Sequence, residues 1–209
     1  MLQGDFLEQK GLVVPLLVWL FATVIYGVAL FAVGDYDYLS FFYHVFLIAA
    51  AICFAVPDFS ACKLSMLSAS LKNGLGLRIG NWRRGILLVL AFLGYVVLAV
   101  LIHGFNGLPA VNFVSFSAVV FAPVTEEIFW RGLIQQRMLK LKLDPLYVIE
   151  LNALLFGAMH LPKLFYFNTL IDFIPITGLG IFFAATCYLT KNSVYYSTVQ
   201  HIIENLVAS

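Results

Sequence analysis

Polar side chains recur at helical spacing inside stretches that are otherwise apolar. Glu126 and Glu127 precede Arg131; Asn152, Phe156 and His160 stand four residues apart; Ser197, His201 and Asn205 repeat that spacing, with Glu204 beside the last. The run from 111 to 134 reads as one hydrophobic helix, yet it carries two adjacent carboxylates and a guanidinium. An ionisable group at the centre of a membrane helix costs about 2.5–3.5 kcal/mol on insertion scales, so each is a functional candidate. Glu127 and Arg131 are i and i+4 with the acid first, the order that favours a same-face ion pair. Glu126 points roughly 100° away around a 3.6-residue helix, which leaves its carboxylate available. Taken singly, a membrane histidine or asparagine reads as interhelical glue and a Glu–Arg pair as a packing bridge. Together, a carboxylate pair, two histidines and an amide on three helices have the groups for acid–base chemistry. Glu126, His160 and His201 are also adequate for a zinc site with an open fourth position, although the sequence holds no His-Glu-x-x-His.

The rest of the chain must hold these groups in a membrane. Of 209 residues, 62% are hydrophobic and 11% charged, far from the roughly 25% charged of a soluble domain. A net charge of +1 gives no reason to expect a nucleic-acid partner. Cys53, Cys62 and Cys187 form no CxxC pair; Cys53 and Cys187 lie in apolar runs and are expected to be buried thiols. The first hydrophobic run is followed by Gly-Asp-Tyr-Asp rather than a small-residue cleavage pattern, so it reads as a retained span. Residues 1–209 are therefore expected to form a single integral membrane domain. Its class is all-α: a polytopic transmembrane helix bundle of about seven spans with a polar intramembrane cavity.

A crossing of a ~30 Å hydrocarbon layer takes about 20 residues at ~1.5 Å each. Apolar runs place spans near 12–33, 38–57, 85–103, 111–136, 146–162, 165–189 and 193–208, the last so short and polar that it should be buried in the bundle. Lys63, Lys72, Arg78, Arg83 and Arg84 fill one connection, Arg137, Lys140 and Lys142 another, and Lys191 a third, whereas the opposite loops hold Asp35, Asp37 and Lys163. The positive-inside rule then predicts a cytosolic N-terminus, in what reads as a bacterial cytoplasmic membrane. A turn of interfacial helix is expected within Ser65–Leu77. His160 is expected near mid-depth if Glu150 marks where its helix enters the membrane, and Pro162-Lys163 then require a polar cavity. Asp172 reads as a break or a cavity-lining residue. His44 and His103 lie near span ends without sequence partners and are expected in the interface.

Glu126-Glu127-x-x-x-Arg131-Gly132, Phe156-x-x-x-His160 and His201-x-x-x-Asn205 resemble, in order, the three motifs of the CAAX-processing and bacteriocin-processing family (CPBP, also called Abi) of intramembrane endopeptidases. Leu75-Gly-Leu-Arg-Ile-Gly-Asn-Trp-Arg resembles that family's lead-in, so the likeness covers about 75–209. Trp130 stands where family members commonly have Phe, and Glu204 adds an acid inside the last motif. The resemblance implies peptide hydrolysis near a membrane-embedded or lipid-anchored end of a peptide or protein substrate. In that scheme Glu126 and His160 activate water, His201 and Asn205 donate to the oxyanion, and Glu127, Arg131 and Phe156 support them. It implies no cofactor; the alternative is zinc on Glu126, His160 and His201. Prenylated CAAX tails, bacteriocin or pheromone leaders and C-terminal sorting tails are the substrate classes it brings. Two other readings compete. One is a non-enzymatic immunity or scaffold protein of the same fold, which would not need the complete motifs. The other is a small proton-coupled transporter, for which the sequence lacks an inverted repeat.

Overall fold

The computed structural model of the chain describes residues 2–55, 72–103 and 112–208, with side chains from residue 11 onward except that of His103. Every regular element among them is helical: α1 (Leu2–Val33), α2 (Tyr36–Ala55), α3 (Trp82–His103), α4 (Phe113–Lys140), α5 (Pro145–Met159), α6 (Leu161–Phe167), α7 (Phe173–Leu189) and α8 (Val194–Ala208). Five described stretches are long and apolar enough to cross a membrane, and α5 with α6 makes a sixth, bent by 41° at His160. The 15-residue α8 spans only ~22 Å, and its Val194, Ser197, Gln200 and His201 are buried against the bundle. This is the all-α bundle expected, an integral membrane protein with five or six candidate spans among the described residues against the seven expected, because the last helix is too short to count as one.

Local sequence sets the helix ends. Gly34, at φ +75°, turns α1 into α2 within two residues, and Asp35 Oδ1 accepts the Tyr38 N–H at 3.3 Å. Asn81, Asn112 and Asp144 cap α3, α4 and α5 in the same way, at 3.2, 2.9 and 2.8 Å. Pro145 then occupies the first turn of α5, where its missing N–H is harmless.

The structure bears on three expectations, and corrects that for Cys53. Asp172 ends a 3-10 turn, Leu170–Asp172, between α6 and α7, so of its two expected roles it takes the break; it is exposed and is not among the residues that line the cavity described below. Cys53 is exposed on the outer face of α2, because it follows the buried Ala50 and Ala51 onto the lipid side, whereas Cys187 is buried as expected. The helix carrying His160 begins at Pro145, and Glu150 is an exposed residue of its second turn. His160 sits ~22 Å along that helix, at the bend. Cys62 and most of the expected interfacial turn, residues 65–71, lie outside the described residues.

The two ends of the bundle differ. At the hairpin end, the Tyr166 hydroxyl donates to the Gly34 carbonyl at 3.2 Å and Tyr36 meets Phe167 edge-on. At the basic end, the lead-in segment folds under the bundle. Leu75 is buried, and its carbonyl oxygen lies 2.6 Å from where a Cβ on Gly132 would stand, which is why that motif position accepts no side chain. Val194 N–H donates to the Gly76 carbonyl at 3.2 Å and Asn81 N–H to that of Thr190 at 3.1 Å. Arg137 of α4 donates to the carbonyls of Gly11 and Phe54, tying α4 to α1 and α2 at this end.

The charge bias predicts which end faces the cytosol. In a background without the native cysteines, a cysteine replacing Arg83 should label from the cytosolic face and one replacing Asp35 from the outer face. The opposite pattern would invert the molecule in the membrane.

Candidate functional site

The central helix of the site is α4, and it is not uniformly α-helical. Ser117–Phe121 and Ile128–Gln135 are wound as π-helix, with Glu126 and Glu127 ending the α-helical segment between them. Phe129 to Gln135 are all buried, as befits a helix surrounded by others. Three side chains of this stretch fix it in place. Arg131 Nη2 donates to the Gly180 carbonyl at 3.1 Å, Gln135 Nε2 to that of Ala184 at 2.9 Å, and Trp130 Nε1 to Met159 Sδ at 3.2 Å. Trp130 also meets Trp19 edge-on at 5.0 Å, a contact to α1 that employs its larger ring.

Arg131 and Glu127 form the expected ion pair, 3.1 Å apart and both fully buried. The guanidinium lies 4.4 Å over the Phe156 ring and 5.7 Å from that of Phe183. These faces suit a cation withdrawn from water. Phe156 in turn meets His160 at 5.0 Å and His201 at 5.6 Å, so one ring touches the guanidinium and both motif histidines.

Glu126, His160, His201 and Asn205 all line one cavity of about 290 Å³. Tyr36, Asp37, Tyr38 and Phe113 also line it, so it opens at the hairpin end. Three helices give a consistent depth. His44 is eight residues from Tyr36, His160 eight from Asn168 and His201 seven from Ala208, or ~11–12 Å at 1.5 Å per residue. Lys163 lines the same cavity, which supplies the polar surroundings its position demanded.

Each motif histidine presents Nδ1 to an acceptor: His160 to the Phe156 carbonyl at 2.9 Å, His201 to Glu127 Oε1 at 3.2 Å. A hydrogen on Nδ1 leaves Nε2 as the working nitrogen. His201 Nε2 stands 3.7 Å from Glu126 Oε2. Asn205 Nδ2 donates to the Ala118 carbonyl at 2.9 Å, which joins α8 to the first turns of α4. Among the described residues, no three His, Cys, Asp or Glu side chains are grouped closely enough to hold a metal ion. Asn152 and Ser197 share faces with the motif residues but bond to backbone, at Trp130 and Val194, and do not reach the cavity.

The expectation for His44 is overturned. It is buried in α2, lines the cavity, and its Nε2 lies 2.7 Å from Glu126 Oε1. A span beginning at Tyr36 rather than residue 38 puts His44 deeper than an interface residue. The signal available in sequence was Ser40-x-x-x-His44, a second polar pair at helical spacing. Tyr26 and Tyr43 line the cavity beside it, stacked at 4.9 Å, with Tyr43 hydroxyl 2.8 Å from Thr23 Oγ1.

Replacing Arg131 by alanine strands Glu127 in the core without its counter-charge, at a cost of about 3–5 kcal/mol. Thermal unfolding in detergent should show a large fall in stability. A variant that melts like the parent would remove the supporting role of the pair.

Residues 108–207 match the family described as type II CAAX prenyl endopeptidase Rce1-like. No curated protein and no solved structure matches the chain. The matched stretch holds all three motifs and, apart from Ala208, every residue that lines the cavity from α4, α5, α6 and α8. Through these residues the chain resembles the Rce1-like family of type II CAAX prenyl endopeptidases.

Proposed function

We propose that the protein is an intramembrane endopeptidase in which Glu126 is the general base. One observation carries this reading. The two oxygens of a buried carboxylate are used unequally: Oε1 is held by His44, while Oε2 has no hydrogen-bond partner among the described residues. Oε2 itself is buried in the cavity wall, and a small movement of the side chain would admit a water to it, with His160 Nε2 as the second anchor. The water oxygen attacks the scissile carbonyl carbon as its proton passes to Oε2. The oxyanion takes hydrogen bonds from Asn205 and from His201 Nε2 when that nitrogen carries a hydrogen. Collapse breaks the C–N bond, and the proton returns from Oε2 to the leaving amine. Glu127 and Arg131 hold the backbone that aims Glu126. The reaction needs no metal; zinc on Glu126, His160 and His201 is the alternative that elemental analysis decides.

The substrate class follows from where the cavity opens. With the basic end in the cytosol, the cavity opens outward, and a peptide bond ~12 Å below the outer surface is within reach. That position suits leader peptides or C-terminal sorting tails that are anchored in the membrane and presented outside. Prenylated tails, presented in the cytosol, fit only the inverted orientation. We place the protein in a bacterial cytoplasmic membrane, N-terminus inside.

Glu126→Gln keeps the shape and removes the base, so cleavage of a membrane-anchored peptide panel by purified protein should stop while the protein still folds. His160→Ala should do nearly the same. Asn205→Ala should lose roughly 100-fold, the usual cost of one oxyanion donor, and Glu204→Gln much less. A strong chelator should leave activity unchanged. Stoichiometric zinc whose removal ends cleavage would favour the metal site, and a fully active Glu126→Gln would defeat both mechanisms.

A further inference from the structure

The Glu126 carboxylate is held by a residue from outside the stretch that carries the family motifs. His44 lies on α2, and the geometry at its two nitrogens limits where hydrogens can be. Its Nδ1 is 2.6 Å from the Ser40 carbonyl oxygen, which can only accept, so Nδ1 carries a hydrogen. Its Nε2 is 2.7 Å from Glu126 Oε1. A neutral imidazole with its hydrogen on Nδ1 has a bare lone pair at Nε2, and an ionised carboxylate also only accepts. Two bare acceptors at that distance repel each other, and both side chains are buried. One hydrogen must lie between them.

We propose that His44 and Glu126 share a single proton, and that His44 is a positioning residue for the hydrolysis proposed above, on which this part of the inference rests. With the proton on either atom the pair is neutral, which limits the cost of burying a second carboxylate beside the Glu127–Arg131 pair. The contact uses Oε1 and leaves Oε2 to take the proton from water. During attack the shared hydrogen stays on Nε2 while Oε2 is protonated, and one proton is delivered to the amine when the C–N bond breaks. No electrons are gained or lost.

The surroundings keep His44 where this requires. Ser40, four residues earlier, fixes the ring from behind. Tyr43 meets the imidazole edge-on at 5.7 Å, and is itself fixed by Thr23 and by the Tyr26 stack on α1. His201 Nε2, at 3.7 Å from Oε2, stands on the other side of the carboxylate. Glu126 is thus flanked by imidazoles from two helices, with only the α2 imidazole in hydrogen-bond contact.

The test uses the full chain with ¹⁵N-labelled histidine in lipid nanodiscs, and resonances assigned by single substitution. In the parent protein the His44 Nε2 resonance should report a shared hydrogen; in Glu126→Gln it should move to the range of a bare imine nitrogen. A His44 Nε2 resonance that Glu126→Gln leaves in place would overturn the shared proton, whatever the activity. In the cleavage assay His44→Ala should lower kcat about 100-fold, the scale of a misplaced catalytic group, with KM little changed. His44→Gln, which keeps an N–H near the position of Nε2, should recover at least tenfold, and added imidazole should rescue His44→Ala. A folded His44→Ala with parental kcat, or one that neither glutamine nor imidazole restores, would overturn the positioning role. If the NMR result holds while the parent protein cleaves no peptide, the peptidase reading fails and the shared proton stands.

Discussion

The fold is organised around two adjacent carboxylates that cannot reach bulk water. Breaking a buried ion pair by removing one partner costs several kcal/mol, so Glu127 commits the chain to Arg131, and Arg131 commits it to what surrounds a guanidinium. Those surroundings come from three elements: the Phe156 face from α5, the Phe183 face and Gly180 carbonyl from α7, and the imidazole of His201 from α8, which touches Glu127. The helices that carry the motifs are thereby drawn against α4 by electrostatic demand as well as by apolar packing. In a bilayer this matters more than in water, because lipid tails offer apolar side chains much the same environment as a protein core. The ion pair supplies specificity to a bundle that apolar contact alone would leave loosely determined.

Glu126 is the member of the pair left facing the cavity, and the winding of α4 helps to aim it. The π-helical stretches on either side each insert residues into the turn, so side chains beyond Glu127 do not follow the 100° step of an α-helix. Such segments occur frequently at functional sites, and here seven successive buried residues, Phe129 to Gln135, make use of one. Arg131, Gln135 and Trp130 then anchor this stretch to α7 and α5, and stiffen the backbone just beyond the carboxylates. In the proposed mechanism, a base held this way would keep its position without help from substrate.

Much of this was legible in sequence because hydrophobic length and helical spacing are local. The spans, the short buried last helix and the Glu127–Arg131 pair all follow from counting residues along one helix at a time. His44 was not legible, since its partner is 82 residues away and the contact depends on how α2 crosses α4. Cys53 failed for a related reason: it lies within an apolar run, but the side of α2 on which it falls decides its surroundings. The bend at His160 was hinted at by Pro162, and it resolves the depth of His160 by placing the residue at a break that opens on a cavity.

Water has to reach Glu126 without crossing the bundle, and the two ends achieve this together. At the basic end Leu75 and Gly76 press against Gly132, Gln136 and Asn192, where added side-chain atoms would collide. At the hairpin end α6 tilts by 41° away from the line of α5, and the cavity opens between α1, α2, α4, α6 and α8. In the proposed hydrolysis, a site ~12 Å from that end of a ~30 Å layer would take its water from one side. Peptide hydrolysis inside a membrane needs that asymmetry, because a channel open at both ends would conduct and a site closed at both would lack its second substrate. The glycine at 132 lets the lead-in segment pack closely at the basic end, and the bend at 160 lies beside the cavity at the other.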